Sequence, residues 1–291
     1  MSSIKQTKPT LCITFVDGSI GAGKSTYINS SVDCGNLKRQ CFLARRTKRA
    51  RVIQVNNYLI SSVKRETGWF IGLLENIDAY TKIFETHKGD SVKIQRAITA
   101  ATRDSYITLI QWIKTSTLLA NYPERFIFAE LFIERDPRSQ ILFCRSYGLP
   151  EDVIDSISNS VEQLRTFLFI ELSRLFAIQT VENMILLTPE SDNGLSRIKE
   201  RGRAFELETF KTAKDLDFIV RPYNNFVKNS HWGHIKLYEI DGKTFSYIIL
   251  ETEQEKQDFF FGTYYLPSQE LEEESFDWES SSLSLLDEMF A

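Results

Sequence analysis

The residues best suited to chemistry lie near the amino end, where Gly18, four further residues and then Gly23-Lys24-Ser25 satisfy the pattern G-x-x-x-x-G-K-[ST]. Glycines let backbone N–H groups converge on phosphate oxygens. Lys24 supplies a point charge for β- and γ-phosphates, and Ser25 offers a hydroxyl to Mg²⁺. The expectation is that Gly18, Ser19, Ile20, Gly21, Ala22, Gly23, Lys24, Ser25 and Thr26 cradle the phosphates of a nucleoside triphosphate such as ATP. The motif leaves the phosphate acceptor open. Two further groups bear on it. Glu134-Arg135 places a carboxylate and a guanidinium at the end of an apolar run, and carboxyl ends of strands are where open α/β sheets bind ligands. Arg197 and Arg201 are four apart, so a helix would put both on one face, with Arg203 close behind.

These residues need elements to position them. The run 11–18, LCITFVDG, is apolar and β-branched and reads as a buried strand, and KSTYINSS after the loop can open a helix. That order puts the loop at a helix N-terminus, where the dipole favours anions. Further strands are expected at 69–75, 125–134, 182–190 and 234–242, and helices at 92–122, 151–179 and 195–210. Strands alternating with helices imply a parallel sheet covered on both faces. The expected fold class is therefore α/β, a three-layer domain with a five-stranded parallel sheet flanked by helices; the family resemblance given below implies that it is a P-loop kinase fold with an arginine-rich lid. In domain terms, 1–10 is an N-terminal extension and 11–268 the main domain, with a polar insertion at about 33–67; the resemblance given below implies that 11–268 is a kinase domain with a lid at about 190–206. Residues 269–291 form an acidic tail.

Composition sets the class. A chain of 291 residues with 42% hydrophobic and 12% aromatic content can build a sizeable core. Cys12, Cys34, Cys41 and Cys144 have no C-x-x-C spacing and read as reduced thiols rather than a disulfide frame or zinc site. There is no run of 18 apolar residues and no apolar signal core at the start, so a cytoplasmic location is expected, with the nucleus as the other option. The net charge of −4 conceals an asymmetry: residues 270–291 carry eight acids and no base, leaving about +4 on the rest. A mildly basic body suits a polyanionic ligand.

Taken together, four segments spanning most of 11–241 resemble the deoxynucleoside kinase family, both the cellular enzymes and the herpesvirus-type thymidine kinases. GSIGAGKST is similar to the family loop. LLENIDAYTKIF (73–84) resembles its strand-end glutamate and the aromatic segment after it. The resemblance implies that Glu75 takes the proton of a sugar 5′-hydroxyl and that Tyr80 packs on substrate. FIERDPRS (132–139) looks like a blend of the cellular Glu-Arg-Ser and the viral Asp-Arg-His-Pro. By resemblance Glu134 helps hold Mg²⁺ with Ser25, and Arg135 sits between substrate and phosphates. TPESDNGLSRIKERGRAFE (188–206) is similar to the family lid, which implies phosphate contacts for Arg197, Arg201 and Arg203 and a sugar 3′-hydroxyl contact for Glu206. A glutamine that pairs with the base corresponds to Gln95. The chain departs from the pattern in three places. Phe84 stands where a 3′-hydroxyl-binding tyrosine is expected, Gln140 replaces an acidic residue, and the 24–75 stretch is some thirty residues longer than in cellular members. The Asp-Pro pair and the insertion tilt the reading toward a viral member.

Two segments stand outside that reading. RRTKRAR (45–51) has five basic residues of seven, suited to nuclear import, nucleic-acid contact or a solvated helix. The tail mixes acids with Phe276, Trp278, Leu283, Leu285, Leu286, Met289 and Phe290, so it either docks on a protein partner or stays solvated. The expected function is ATP-dependent phosphorylation of a deoxynucleoside 5′-hydroxyl, thymidine or deoxycytidine first, by a homodimer. Two alternatives stand beside it: a nucleoside-monophosphate kinase, and an inactive P-loop protein that works by interaction.

Overall fold

The structure is a computed structural model. It describes residues 10–34, 51–55, 58–64, 68–75, 77–87, 89–115, 128–176, 179–187, 191–202, 207, 210–229, 236–240, 243–250 and 252–261. The basic stretch 45–50, Arg203, Glu206 and the tail from 262 lie outside those residues, and of the expected N-terminal extension only Thr10 is described, as the first residue of a strand.

One mixed sheet runs through the molecule. Its strands are β1 (Thr10–Gly18), β2 (Arg51–Val55), β3 (Tyr58–Lys64), β4 (Gly68–Glu75), β5 (Phe128–Glu134), β6 (Gln179–Leu187), β7 (Lys236–Ile240) and β8 (Lys243–Leu250). Their order across the sheet is β2-β3-β4-β5-β1-β6-β8-β7. Among the described residues the sheet thus corrects the five-stranded parallel expectation. The central β4, β5, β1 and β6 are parallel, while β2–β3 extends one edge and β8–β7 the other, both antiparallel. Four of the five expected strands are the parallel ones. The fifth, at 234–242, is the antiparallel edge strand β7.

The central strands form because they are apolar on both faces. Leu11, Ile13 and Phe15 of β1, with Ile71, Leu73, Leu131, Ile133, Met184 and Leu186, face one buried cluster. Val16, Phe70, Leu74, Phe132, Ile185 and Leu187 face another. This period of two from near-continuous apolar runs is what a doubly covered parallel sheet demands. The first face is covered by α3 (Ser91–Thr115) and α5 (Glu151–Phe176), which give Tyr106, Leu109, Ile110, Leu164, Leu168 and Leu172 to it. The second is covered by α1 (Lys24–Cys34), through Tyr27 and Ile28. Each fully buried Leu, Ile or Phe contributes roughly 1.5–3 kcal/mol.

Shorter helices complete the upper rim. α2 (Ile77–Thr86) follows β4 and packs on α3, and α4 (Ser139–Ser146) follows β5. α6 (Ser191–Arg201) is the described part of the expected lid, and α7 (Ala213–Asn229) packs on it through Leu195, Ile198, Leu216 and Val220. α8 (Glu253–Phe261) brings Phe259 and Phe260 into the main core. No helix among the described residues is long and apolar enough to cross a membrane. Cys12 and Cys144 form no disulfide among the described residues.

Candidate active site

The loop after β1 has backbone geometry that few residues other than glycine allow. Gly18 has φ +142° and an added Cβ would meet the Leu187 carbonyl oxygen at 2.7 Å; Gly21 has φ +79° and a Cβ there would meet the Gly194 carbonyl oxygen at 2.7 Å. Both positions exclude larger residues by conformation and by space. The Ala22 N–H closes the turn on the Ser19 carbonyl at 3.2 Å, and the Tyr27 N–H bonded to the Gly23 carbonyl at 2.9 Å opens α1. Lys24, at the first turn, folds back so that Nζ donates to the carbonyls of Gly18 and Ser19, both at 3.1 Å. Burial, followed by the neighbouring Arg135 guanidinium, lowers its ammonium to about 8, against the pull of Glu75, Glu134 and Asp17.

Strand register brings the distant carboxylates to this loop. Val16 of β1 lies beside Glu134, the last residue of β5, and β4 ends at Glu75 on the other side of β5. The Ser25 hydroxyl donates to the Glu134 carboxylate, with the oxygens at 2.9 and 3.0 Å, and the Glu75 N–H donates to Glu134 Oε2 at 3.1 Å. Burial and then the Glu75 charge push the Glu134 carboxyl above the ordinary range.

Arg135 leaves the sheet in the left-handed region, φ +71°, its N–H held by the Val16 carbonyl at 2.9 Å. For a residue with a Cβ this costs about 1–3 kcal/mol and persists only when the surroundings fix it. Several contacts do so. Its Nε donates to Glu75 Oε1 at 3.0 Å. Nη1 reaches the Gly18 carbonyl and the Tyr223 hydroxyl, each at 3.4 Å, and lies 3.6 Å from Asp17 Oδ1. The guanidinium also stands 4.9 Å over the Phe143 ring. Burial opposes its charge most strongly, but Glu75, Tyr223 and Asp17 outweigh burial and hold Arg135 well above its ordinary value.

Asp17 is a member of this cluster that the motif reading missed. Fully buried at the end of β1, it accepts from Gly18 N at 2.6 Å, Asp136 N at 3.0 Å, Tyr223 OH at 3.2 Å and the Ser139 hydroxyl. It ties the loop, the chain after β5 and α7 to one carboxylate. A signal was present in the sequence: an acid inside an apolar strand must find partners once buried. Tyr223 gave none, because a tyrosine in an amphipathic helix is ordinary.

Beneath this cluster Asp136 holds Arg138 at 2.8 Å, and Glu182 of β6 receives Arg138 at 3.3 Å, Arg165 at 2.8 Å and Lys256 at 3.3 Å. Arg138 also lies 4.5 Å over the Phe260 ring. These pairs anchor the segment after Arg135 to α5, β6 and α8.

The other expected residues are placed as follows. Tyr80 and Phe84 lie half-buried one turn apart on α2, the helix directly after Glu75. Gln95 is buried in the first turns of α3, where Gln140 Nε2 donates to its backbone carbonyl at 2.8 Å and to its Oε1 at 3.3 Å; Gln140 Oε1 accepts from Thr99 at 2.8 Å. Gln95 and Gln140, distant in sequence, are thus paired. Arg197 of α6 aims Nη1 at loop carbonyls, Gly21 at 3.4 Å and Ala22 at 3.3 Å. Arg201 ends α6.

No family model, curated protein or solved structure matches the chain. The site is therefore argued from its own geometry.

A divalent cation fits what is there. Ser25 and Glu134 present hard oxygen donors side by side, and the raised Glu134 carboxyl is a buried negative group that a cation would relieve. Among the described residues no three His, Cys, Asp or Glu side chains are placed to hold a metal ion together. This set suits an ion that keeps waters and substrate oxygens, as Mg²⁺ does, rather than a protein cage.

Proposed function

We propose that the chain is a P-loop kinase that transfers the γ-phosphoryl of ATP to the 5′-hydroxyl of a deoxynucleoside. The observation that carries this reading is the convergence of Lys24, Ser25, Glu75, Glu134 and Arg135, from three separate parts of the sequence, into one hydrogen-bonded cluster at the carboxyl ends of β1, β4 and β5. Donor loop and acceptor-activating carboxylate then share one site.

Glu75 is the base in this reading. Arg135 Nε occupies its Oε1, which leaves Oε2 for a substrate hydroxyl. A hydroxyl becomes a competent nucleophile when such a carboxylate takes its proton. As the hydroxyl oxygen bonds to the γ-phosphorus, the bond to the β-bridging oxygen breaks and ADP leaves with that electron pair. Lys24 and Arg135 hold positive charge where phosphate charge develops, and loop N–H groups bind the phosphates. Mg²⁺, held by Ser25 and Glu134 with substrate oxygens, would neutralise phosphate charge. Gln95 would read the base, and Arg197, Arg201 and Arg203 would close over the phosphates, with Glu206 at the sugar. The same reading carries a homodimer through the long helices. α5 exposes Phe167 and Ile170, 37% and 44% accessible, and the adjoining α3 exposes Ile107, 36% accessible.

The test is a panel of thymidine, deoxycytidine, deoxyadenosine, deoxyguanosine and thymidine monophosphate with ATP-Mg²⁺. Monophosphate formation from at least one is expected. Turnover of thymidine monophosphate alone would overturn the acceptor assignment, and no turnover at all would leave an interaction protein. Glu75→Gln should lower kcat by about 10²- to 10⁴-fold while nucleotide binding persists.

A further inference from the structure

Arg135 is held at Nε by Glu75, at 3.0 Å, and at Nη1 in part by a residue outside every motif. Its backbone conformation is strained, and its Nη1 contacts with the Gly18 carbonyl and the Tyr223 hydroxyl are both long, at 3.4 Å. Glu75 fixes the Nε end at 3.0 Å, so it is the Nη1 end that needs a fixed acceptor beside it. Tyr223 is that acceptor. Its ring is fully buried, with Phe259 of α8 at 5.6 Å between centroids. Its hydroxyl hydrogen is committed to Asp17 Oδ1 at 3.2 Å, because an ionised carboxylate can only accept. The oxygen lone pair is thereby turned toward Arg135 Nη1. Burial and then the Asp17 charge hold the phenol well above its ordinary value, so it keeps this polarity.

The tyrosine also belongs to a particular helix. α7 packs on α6, the helix that carries Arg197, around Leu195, Ile198, Leu216 and Val220; Ile20 of the glycine loop and Phe143 under Arg135 pack on that cluster. Pro222, immediately before Tyr223, removes one N–H from the α7 ladder and frees the carbonyl four residues earlier, so the helix can bend at the tyrosine. A shift of the α6–α7 pair relative to the sheet would therefore move the Tyr223 hydroxyl against Arg135.

The geometry points to Tyr223 as a positioning residue: its hydroxyl, oriented by Asp17, holds the Arg135 guanidinium at the acceptor side of the site and links it to the α6–α7 pair. This inference rests on the kinase reading for its catalytic consequence, but the contact itself does not depend on that reading.

The experiment is a double-mutant cycle of Tyr223→Phe and Arg135→Ala. Tyr223→Phe keeps the ring and removes the acceptor. Expected in the otherwise wild-type chain is a loss of about tenfold in kcat, with KM for the nucleoside and for ATP changed less than about twofold, since no substrate-binding group is removed. In the Arg135→Ala background the same change should cost less than about twofold, because the group it positions is gone. An equal loss in both backgrounds, or a loss carried by KM, overturns the inference. The cycle is repeated on urea midpoints. Non-additive midpoint shifts support the contact and additive ones overturn it, even if the wild-type chain phosphorylates no deoxynucleoside. That last result would sink the kinase reading alone.

Discussion

At Lys24, burial and the Arg135 guanidinium lower the ammonium to about 8 from an ordinary 10.5, so under the proposed kinase function ATP binding should depend on pH. A bound polyphosphate raises the value again, because the added negative charge favours the protonated form. Near pH 8 about half of the free protein carries a neutral Lys24, so ATP binding should take up about half a proton. Calorimetric titrations in buffers of different ionisation enthalpy would read that uptake, which should vanish near pH 6 and in Lys24→Met. The same shift acts on stability in a defined direction. Between pH 8 and 10.5 the unfolded chain binds more protons at this site, so the unfavourable term from Lys24 fades as pH rises. The loop has a second residue-scale test. Gly18→Ala forces a Cβ to 2.7 Å from the Leu187 carbonyl at φ +142°, and should lower stability by about 2–4 kcal/mol in urea titration. The glycine turn was legible in the sequence because its backbone geometry at Gly18 and Gly21 fixes both residue type and spacing. Glu75 was singled out only through resemblance, and Arg135 through resemblance and its place at the end of an apolar run. Asp17 and Tyr223 act through tertiary partners that no local pattern encodes.

Among the elements, legibility followed burial. The parallel strands stand out because both faces are covered and nearly every residue is apolar, as in 11–18 and 69–75. The β2–β3 hairpin falls inside the stretch expected to be a polar insertion, and β8 was also missed; VIQV and KTFSYIIL place polar residues among apolar ones, which reads as loop without a partner strand. α2 and α7 were missed for a related reason. Each is amphipathic but short or proline-containing, with its apolar face chosen by neighbours. The long helices make the element-scale prediction. α3 and α5 are joined by Lys114–Glu171 at 3.4 Å and by buried leucines and isoleucines. Phe167 and Ile170 are three apart on the exposed side of α5. A second copy covering this stripe would bury what remains exposed of these side chains, worth roughly 1 kcal/mol each because more than half of each is already buried. Sedimentation should therefore show a dimer for the full chain and a monomer for Phe167→Asp/Ile170→Lys. A monomeric wild type at micromolar concentration would rule the interface out.

Across the whole molecule, buried charge joins the layers beneath the site. Arg138, Arg165 and Lys256 come from the segment after β5, from α5 and from α8, and they meet Asp136 and Glu182. Burial works against the Asp136 charge most strongly, yet Arg138 and Arg165 outweigh it and hold the carboxyl below 3.8. Because the folded value is depressed, the stability this group contributes is present above the unfolded value and is lost as pH falls through the folded one. Glu134 acts in the opposite sense: its raised carboxyl favours the fold at low pH and costs stability as pH rises through its folded value. Asp136→Asn should therefore flatten the fall in urea midpoint below pH 4. Glu182 sets the larger effect, since it is shared by all three cations. Removing one member of a buried pair strands the others, at about 3–5 kcal/mol. Glu182→Gln should lose about that much. Lys256→Met, which leaves Glu182 with two arginines and releases an exposed Glu253, should lose about 1 kcal/mol or less. If the two midpoints shift equally, Glu182 is an ordinary half-buried carboxylate and the layers are held by packing alone.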